Sequence, residues 1–251
     1  LPAEMKVYLT EMSDPFVIAA IFYAMEHSNK MVVHGNVSPS LLRNIEEFQA
    51  VWTNWAPEQY KNVEITADNE IEEDFDKEQK AVMAFSGGLD SCFTAYRHKT
   101  GKSGRQQLDI EKGIMVHGFD IDLKDEITFK NALKKNIAIT KSINMDLIAI
   151  ATNFRQMKGD WHIVHAAGIA AALSLFSRRY KYGVIASSFS YDSFDLNIPW
   201  GSNPLTDNLL SSKNFEIIND GSRYNRTDKL ELLINWQEAM DNMRVCWQGE
   251  K

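Results

Sequence analysis

Ser86-Gly87-Gly88-Leu89-Asp90-Ser91 brings together, in one short stretch, the residue types that hold a phosphate group. Two adjacent glycines let the backbone turn sharply and approach an anion with no side chain in the way. The N–H groups of such a loop, and of a helix that starts from it, point at the anion. Ser86 and Ser91 can add hydroxyl donors, whereas Asp90 would repel a bare phosphate. Asp90 therefore makes chemical sense as a Mg²⁺ ligand between protein and phosphate, or as an acceptor for loop N–H groups. The plain alternative is a tight turn with an N-capping serine. No Lys follows the second glycine, so the Walker A pattern is absent.

The elements around the loop must place it. "AVMAF" (Ala81 to Phe85) reads as a short buried strand and "LDSCFTAYRHK" as a helix, so the glycines sit at a strand-to-helix join. From Lys80 onward strands and helices alternate. "GIMVHGFDI", "DLIAIAT", "YGVIASSF" and "FEIIND" are the further strands; "KDEITFKNALKKNIAITKSI", "DWHIVHAAGIAAALSLFSRRY" and "RTDKLELLINWQEAM" are the further helices. Apolar strands alternating with helices imply an α/β fold, a doubly wound parallel sheet covered on both faces. Ligands of such sheets bind at the carboxyl ends of the strands, where the strand order reverses. The first 79 residues read as a smaller α/β unit. "KVYLT" and "MVVHGNV" are expected strands, "PFVIAAIFYAMEHS" a helix, and "SPSLLRNIEEFQAVWTNW" an amphipathic helix with Ser38 as N-cap and Pro39 in its first turn. "VEITADNEIEEDFDKEQ" begins as a strand and becomes an acidic run, Asp68 to Glu78, expected as a solvated linker. The boundary falls near Gln79, giving units 1–79 and 80–251.

Other chemistry-bearing residues gather at expected strand ends. His117, Gly118, Phe119 and Asp120 close the second strand of the larger unit. Gly118 permits close backbone approach, and Asp120 suits a Mg²⁺ ion, a ribose hydroxyl or a helix cap. The stretch Ser190 to Asn214 has no clear periodicity and is too apolar for simple disorder. It is read as an acceptor-binding loop, with Ser187, Ser188, Tyr191, Asp192, Trp200, Ser202, Asn203 and Asp207 as candidates. A packed surface loop or a homodimer contact is the alternative. Arg223, Arg226 and Lys229 are the cations best placed to neutralise a polyphosphate. His162 and His165 share a helix face but lack a third metal ligand. Arg178 and Arg179 read as complements of a helix dipole, and Cys92 as a small packed residue.

Composition limits the classes. The chain has 251 residues, 44% hydrophobic and 24% charged, with a formal net charge of −7. The acidic balance argues against nucleic acid as a partner, because phosphate-backbone binders carry a basic footprint. No apolar run is long enough to cross a membrane, and no signal-peptide pattern opens the chain. Two cysteines far apart, Cys92 and Cys246, fit a reducing compartment, and the cytoplasm is expected.

"SGGLDS" after an apolar strand resembles the loop of the N-type ATP pyrophosphatases, the PP-loop superfamily. That superfamily includes the amidating synthetases for GMP, NAD and asparagine, argininosuccinate synthetase, tRNA thiolases, lysidine synthase and 7-cyano-7-deazaguanine synthase. The layout from Lys80 to Lys251 is most similar to the last of these. "MVHGFDI", "DWHIVHAAGIAAAL" and "NRTDKLELL" stand where that family has its adenosine-side strand, its small-residue helix and its late lysine segment. The resemblance implies an enzyme using ATP and Mg²⁺. It would adenylate an oxygen of a small-molecule, peptide or protein acceptor, release pyrophosphate and let a nucleophile displace AMP, forming a C–N bond. It implies Ser86, Asp90, Ser91 and Lys229 as catalytic residues and Asp90 as the metal ligand. It further implies Ala84, Phe85, Ser86, Gly87, Gly88, Leu89, Asp90, Ser91, His117, Gly118 and Phe119 around the nucleotide. Two rivals stand beside it: a tRNA-modifying member, which the acidic charge disfavours, and a non-catalytic ATP-binding partner protein. The four-cysteine zinc site of the deazaguanine synthases is expected only with cysteines beyond Lys251, since Cys246 supplies a single sulfur. The first 79 residues have no counterpart in those enzymes; a peptide or protein partner is one reading of their role.

Overall fold

The computed structural model describes residues 3–73, 77–195 and 200–244. Its centre is a five-stranded, all-parallel sheet built from β3 (Lys80–Ala84), β4 (Asp109–His117), β5 (Asp146–Ala151), β6 (Tyr182–Ala186) and β7 (Glu216–Asp220), in the order β5-β4-β3-β6-β7. Starting from β3, the chain steps outward through β4 to one edge, crosses back, and adds β6 and β7 on the other side of β3. The order reverses at β3, so the crevice at its carboxyl end is where this architecture admits a ligand.

Both faces of the sheet are covered, as short, continuously apolar strands require. Ala81 and Met83 face a layer of α3 (Leu89–Lys99), α4 (Glu126–Ser142), α6 (Arg226–Leu233) and α7 (Gln237–Asn242), meeting Cys92, Phe93, Ile139, Leu233 and Trp236. Val82 faces the opposite way, with Ile114, Ile148, Ile185 and Ile217, onto α5 (Trp161–Ser174). α5 is buried nearly all round because a second layer covers its far side. That layer is α1 (Asp14–His27), whose Val17, Ile18, Ile21 and Met25 share one apolar core with Ala167, Ala170 and Leu173. Alanines on α5 let its neighbours approach closely from two sides. α2 (Pro39–Trp55) joins β1 (Lys30–Val37) to β2 (Glu64–Glu70) in a separate two-stranded parallel sheet.

Three local expectations need correction. "KVYLT" is not a strand: Ala3–Tyr8 is a 3₁₀-helix, with Met5 turned into the core. A strand exists only where a ladder partner lies beside it, and five residues of β propensity do not supply one. The single final helix is two, broken around Trp236, whose indole stacks on Tyr96 and donates from Nε1 to Ser142 Oγ at 2.8 Å. Docking the indole outweighs continuing the helix. The acidic run is more than a solvated linker over its described part. Glu72 accepts from the N–H and hydroxyl of Ser40 in the first turn of α2, and Asp68 pairs with His34. Ser38 does hold the N-cap position with Pro39 following, but its side chain makes no capping bond; the distant Glu72 takes that role. Asp74, Phe75 and Asp76 of the run lie outside the described residues.

No helix of the described residues is long and apolar enough to cross a membrane.

Candidate functional site

β3 delivers the chain to the crevice. Ala84 is its last residue, and Phe85 is buried, with its N–H held by Ile114 O at 2.9 Å. The backbone then turns through Gly87 at φ +77°, a conformation that favours glycine. A Cβ at Gly87 would also lie 1.9 Å from Asn136 Oδ1, so two independent constraints keep a side chain out. Gly88 is the N-cap of α3 and supplies no capping side chain, leaving the first-turn N–H groups open to an anion. Ser91 is buried and donates from Oγ to Gly88 O at 3.0 Å, within 3.4 Å of Ser86 Oγ. Ser86 is exposed at the crevice, and Leu89 packs against the core beneath.

Lys229 closes the site from α6. A capping box between Asn225 and Asp228 starts that helix and turns the next residue inward. Lys229 is 1% exposed, and its Nζ donates to Asp90 Oδ1 at 2.7 Å and to Ser187 O at the end of β6. Residues 139 positions apart thus meet, and a fully buried cation faces the glycine loop with a carboxylate beside it. Asp90 keeps its second oxygen without a hydrogen bond among the described residues. The other expected cations lie elsewhere. Arg223, which precedes α6, and Arg226, which opens it, are exposed, Arg223 lying over the Tyr224 ring at 6.0 Å, and neither joins the hydrogen bonds of the loop.

The carboxyl end of β4 forms the adjacent wall. His117 stacks on Phe129 at 4.2 Å and its Nε2 lies 2.8 Å from Asp122 O, so its ring is committed to packing and a main-chain carbonyl. Gly118 has φ +100°, and a Cβ there would sit 2.0 Å from Thr152 O. Phe119 lies 5.1 Å from Trp161, and its carbonyl accepts from Arg155 Nη1 at 3.1 Å. Arg155 also lies over the Trp161 ring at 4.8 Å. Asp120 is exposed on this wall yet surrounded by protein. Burial pushes its carboxyl above the usual carboxylate range, against the pull of Arg244, a bond with Trp161, and Arg155. The carboxyl is nevertheless open to solvent, and so available to a ligand.

The long loop divides in two. Ser187 Oγ donates to Phe189 O at 2.7 Å and accepts from Ser222 Oγ at 2.9 Å, which ties the start of the loop to the end of β7. Ser188 is half-buried, Tyr191 is 68% exposed, and Asp192 accepts from Ser190 Oγ. Trp200 packs among Phe189, His162 and His165 at 5.0 to 5.4 Å, joining the loop to the start of α5. Ser202, Asn203 and Asp207, by contrast, are turned inward. Asp207 is fully buried and accepts from Ser202 Oγ (2.7 Å), Asn203 N (3.0 Å) and Asn219 Nδ2 (2.8 Å). Burial raises its carboxyl to about 6, offset by those neutral donors. These three brace the loop from inside. Leu196 to Pro199 lie outside the described residues.

Sequence reasoning missed two residues beside the glycine loop. Asn136 is fully buried on the inner face of α4, with Phe129, Ala132 and Ile139, and a polar residue at that helical spacing was a legible signal. Arg244 follows α7 and lies against the loop, donating from its main-chain N to Gly87 O at 2.8 Å and from Nη1 to Ser86 O at 3.2 Å. Nothing local marks it. Among the described residues no group of three or more His, Cys, Asp and Glu side chains could hold a metal ion. Cys92 is buried, its thiol pushed up to about 12, and Cys246 lies outside the described residues.

Comparison of the chain with family models, with curated proteins and with solved structures finds no match.

Proposed function

We propose that the protein is an ATP-dependent adenylating enzyme of the PP-loop type, most similar in layout to the 7-cyano-7-deazaguanine synthases, and that it acts in the cytoplasm. It activates a carboxylate or carbonyl oxygen of a small-molecule, peptide or protein acceptor, releases pyrophosphate, and passes the activated group to a nitrogen nucleophile. The observation that carries this reading is the convergence at the carboxyl end of β3. An uncapped, glycine-shaped loop lies there at the reversal of strand order, and the buried Lys229 reaches it from α6 beside Asp90.

The residues divide the work. Main-chain N–H groups of the loop and of the first turn of α3 hold the phosphates. The Ser86 hydroxyl adds a donor, and the buried Ser91 hydroxyl braces the loop through Gly88 O. Lys229 supplies fixed positive charge where negative charge builds on the departing pyrophosphate, and its burial strengthens that interaction. The free oxygen of Asp90 would hold a Mg²⁺ ion, which would supply charge neutralisation to the phosphates. No general base is required to make a carboxylate attack phosphorus. Phe119, Trp161 and Asp120 form the wall beside the nucleotide, and the outward part of the long loop, Ser188 to Asp192 with Trp200, faces the acceptor.

The test is release of pyrophosphate and AMP from ATP and Mg²⁺, with small carboxylates, peptides and cell extract as acceptors, for wild type, Asp90→Asn and Lys229→Met. Each substitution is expected to lower turnover by about 100-fold or more, the scale for losing a group that stabilises developing charge. ATP binding with no pyrophosphate from any acceptor would overturn the enzyme reading and leave a nucleotide-binding partner protein.

A further inference from the structure

Arg244 touches the glycine loop only through carbonyl oxygens, and this has a geometric consequence. All described peptide bonds are trans. In a trans peptide the N–H of one residue points opposite to the C=O of the residue before it. Arg244 Nη1 holds Ser86 O at 3.2 Å, which turns the Gly87 N–H away from Arg244. The Arg244 main-chain N holds Gly87 O at 2.8 Å, which turns the Gly88 N–H away from that contact, and that N–H donates to Ser86 Oγ at 3.3 Å. One residue thereby sets the orientation of two consecutive peptide groups. The contact spans 158 positions of sequence, so it holds the loop from outside its own strand and helix. Gly87, at φ +77°, is the pivot between the two peptides, and with no side chain it can flip unless something restrains it.

We infer that Arg244 is a positioning residue that clamps the Ser86 and Gly87 carbonyls, so that the Gly87 N–H, and the Ser86 hydroxyl that accepts from the Gly88 N–H, stand preformed toward the polyphosphate of its nucleotide. This rests on the phosphate-binding reading given above. The residue acts through the loop and not by touching the nucleotide. A loop whose peptides must be reoriented on binding loses affinity, because part of the interaction is spent on ordering it. Asp120 lies close enough to Arg244 for opposite charges to attract, which helps hold the guanidinium in place.

Binding of ATP and of inorganic pyrophosphate is measured by calorimetry for wild type, Arg244→Lys, Arg244→Ala and a chain ending at Asn242. Arg244→Ala loses the guanidinium bond and keeps the main-chain one. Its Kd is expected to rise about tenfold for both ligands, the scale of one lost hydrogen bond. Arg244→Lys, which keeps a donor, falls between wild type and Arg244→Ala, and the shortened chain binds weakest. In turnover the KM for ATP rises while the KM for the acceptor holds, a split that general loosening of the fold would not give. Thermal midpoints without ligand confirm that the variants are folded. Equal affinity for pyrophosphate in wild type, Arg244→Ala and the shortened chain overturns the clamp while leaving the phosphate reading intact. Absence of ATP and pyrophosphate binding in wild type overturns both.

Discussion

Asp220, at the end of β7, and Asp207, in the long loop, are carboxylates buried to similar depth, 6% and 0% exposed, in opposite surroundings. Asp220 meets Arg97 Nη2 at 3.1 Å, His98 Nε2 at 3.2 Å and the Thr94 hydroxyl at 2.8 Å, all from α3. Burial pushes its carboxyl up, but these partners together hold it below the usual carboxylate range. Asp207 meets only neutral donors and is carried up to about 6. Asp220 fixes the helix that the glycine loop opens against the far strand of the sheet. Asp207 fixes a loop that only needs to be shaped. The frame behind the glycine loop is thus held by charge that stays paired near neutrality, whereas the long loop is held by a group that titrates just below it.

The largest expected effect comes from breaking the charged frame. Asp220→Ala leaves Arg97 buried without its counter-ion and should cost about 3 to 5 kcal/mol. Denaturant unfolding measures this; a loss under about 1 kcal/mol would mean that the pair is solvated and the contrast with Asp207 is illusory.

Next is the pH response of Asp207. Its folded carboxyl binds a proton more readily than the unfolded one, so the folded state holds more protons between about 4 and 6. Stability from this group is therefore greatest at acid pH and falls as pH rises through that window, by an amount on the order of 3 kcal/mol. Asp220 has the opposite sign: its contribution is present above the unfolded carboxylate value and is lost only as pH falls below it. Unfolding midpoints from pH 4 to 7 for wild type and Asp207→Asn separate the two, since the variant should lack the downward component. Identical slopes would remove Asp207 as the titrating brace.

A smaller loss follows from Gly87→Ala, where a left-handed backbone and the Asn136 contact together should cost about 1 to 3 kcal/mol and abolish tight pyrophosphate binding. Unchanged binding would show that the loop does not need its turn. Smallest is Tyr191→Ala on the exposed side of the long loop, expected within about 0.5 kcal/mol of wild type in stability. A clear fall in acceptor turnover with that stability unchanged would mark the exposed segment as the part that meets the acceptor; unchanged turnover would move the acceptor elsewhere.

Much of this was readable in the chain because it depends on neighbours in sequence. Adjacent glycines between an apolar run and helix-forming residues state a strand–loop–helix join locally, and the join stands where expected. Apolar runs of β3 and β6, too short and continuous for exposed strands, already implied a sheet covered twice. "KVYLT" failed because a strand is defined by its partner, and the partner lies outside the local pattern. Ser202, Asn203 and Asp207 were polar residues in an irregular loop, and no periodicity says whether such residues face inward or outward.

The sequence by itself determined the α/β alternation and the glycine loop at its strand-to-helix join, and it named Asp90 and Lys229 without showing that they meet. Tertiary structure alone decided that Arg97 and His98 would neutralise Asp220, that Asp207 would be left with neutral donors, and that Arg244 would hold the loop by two carbonyls. The reason is physical. Turn and helix preferences are set by interactions a few residues apart, whereas burial and electrostatic environment depend on which distant segments pack together.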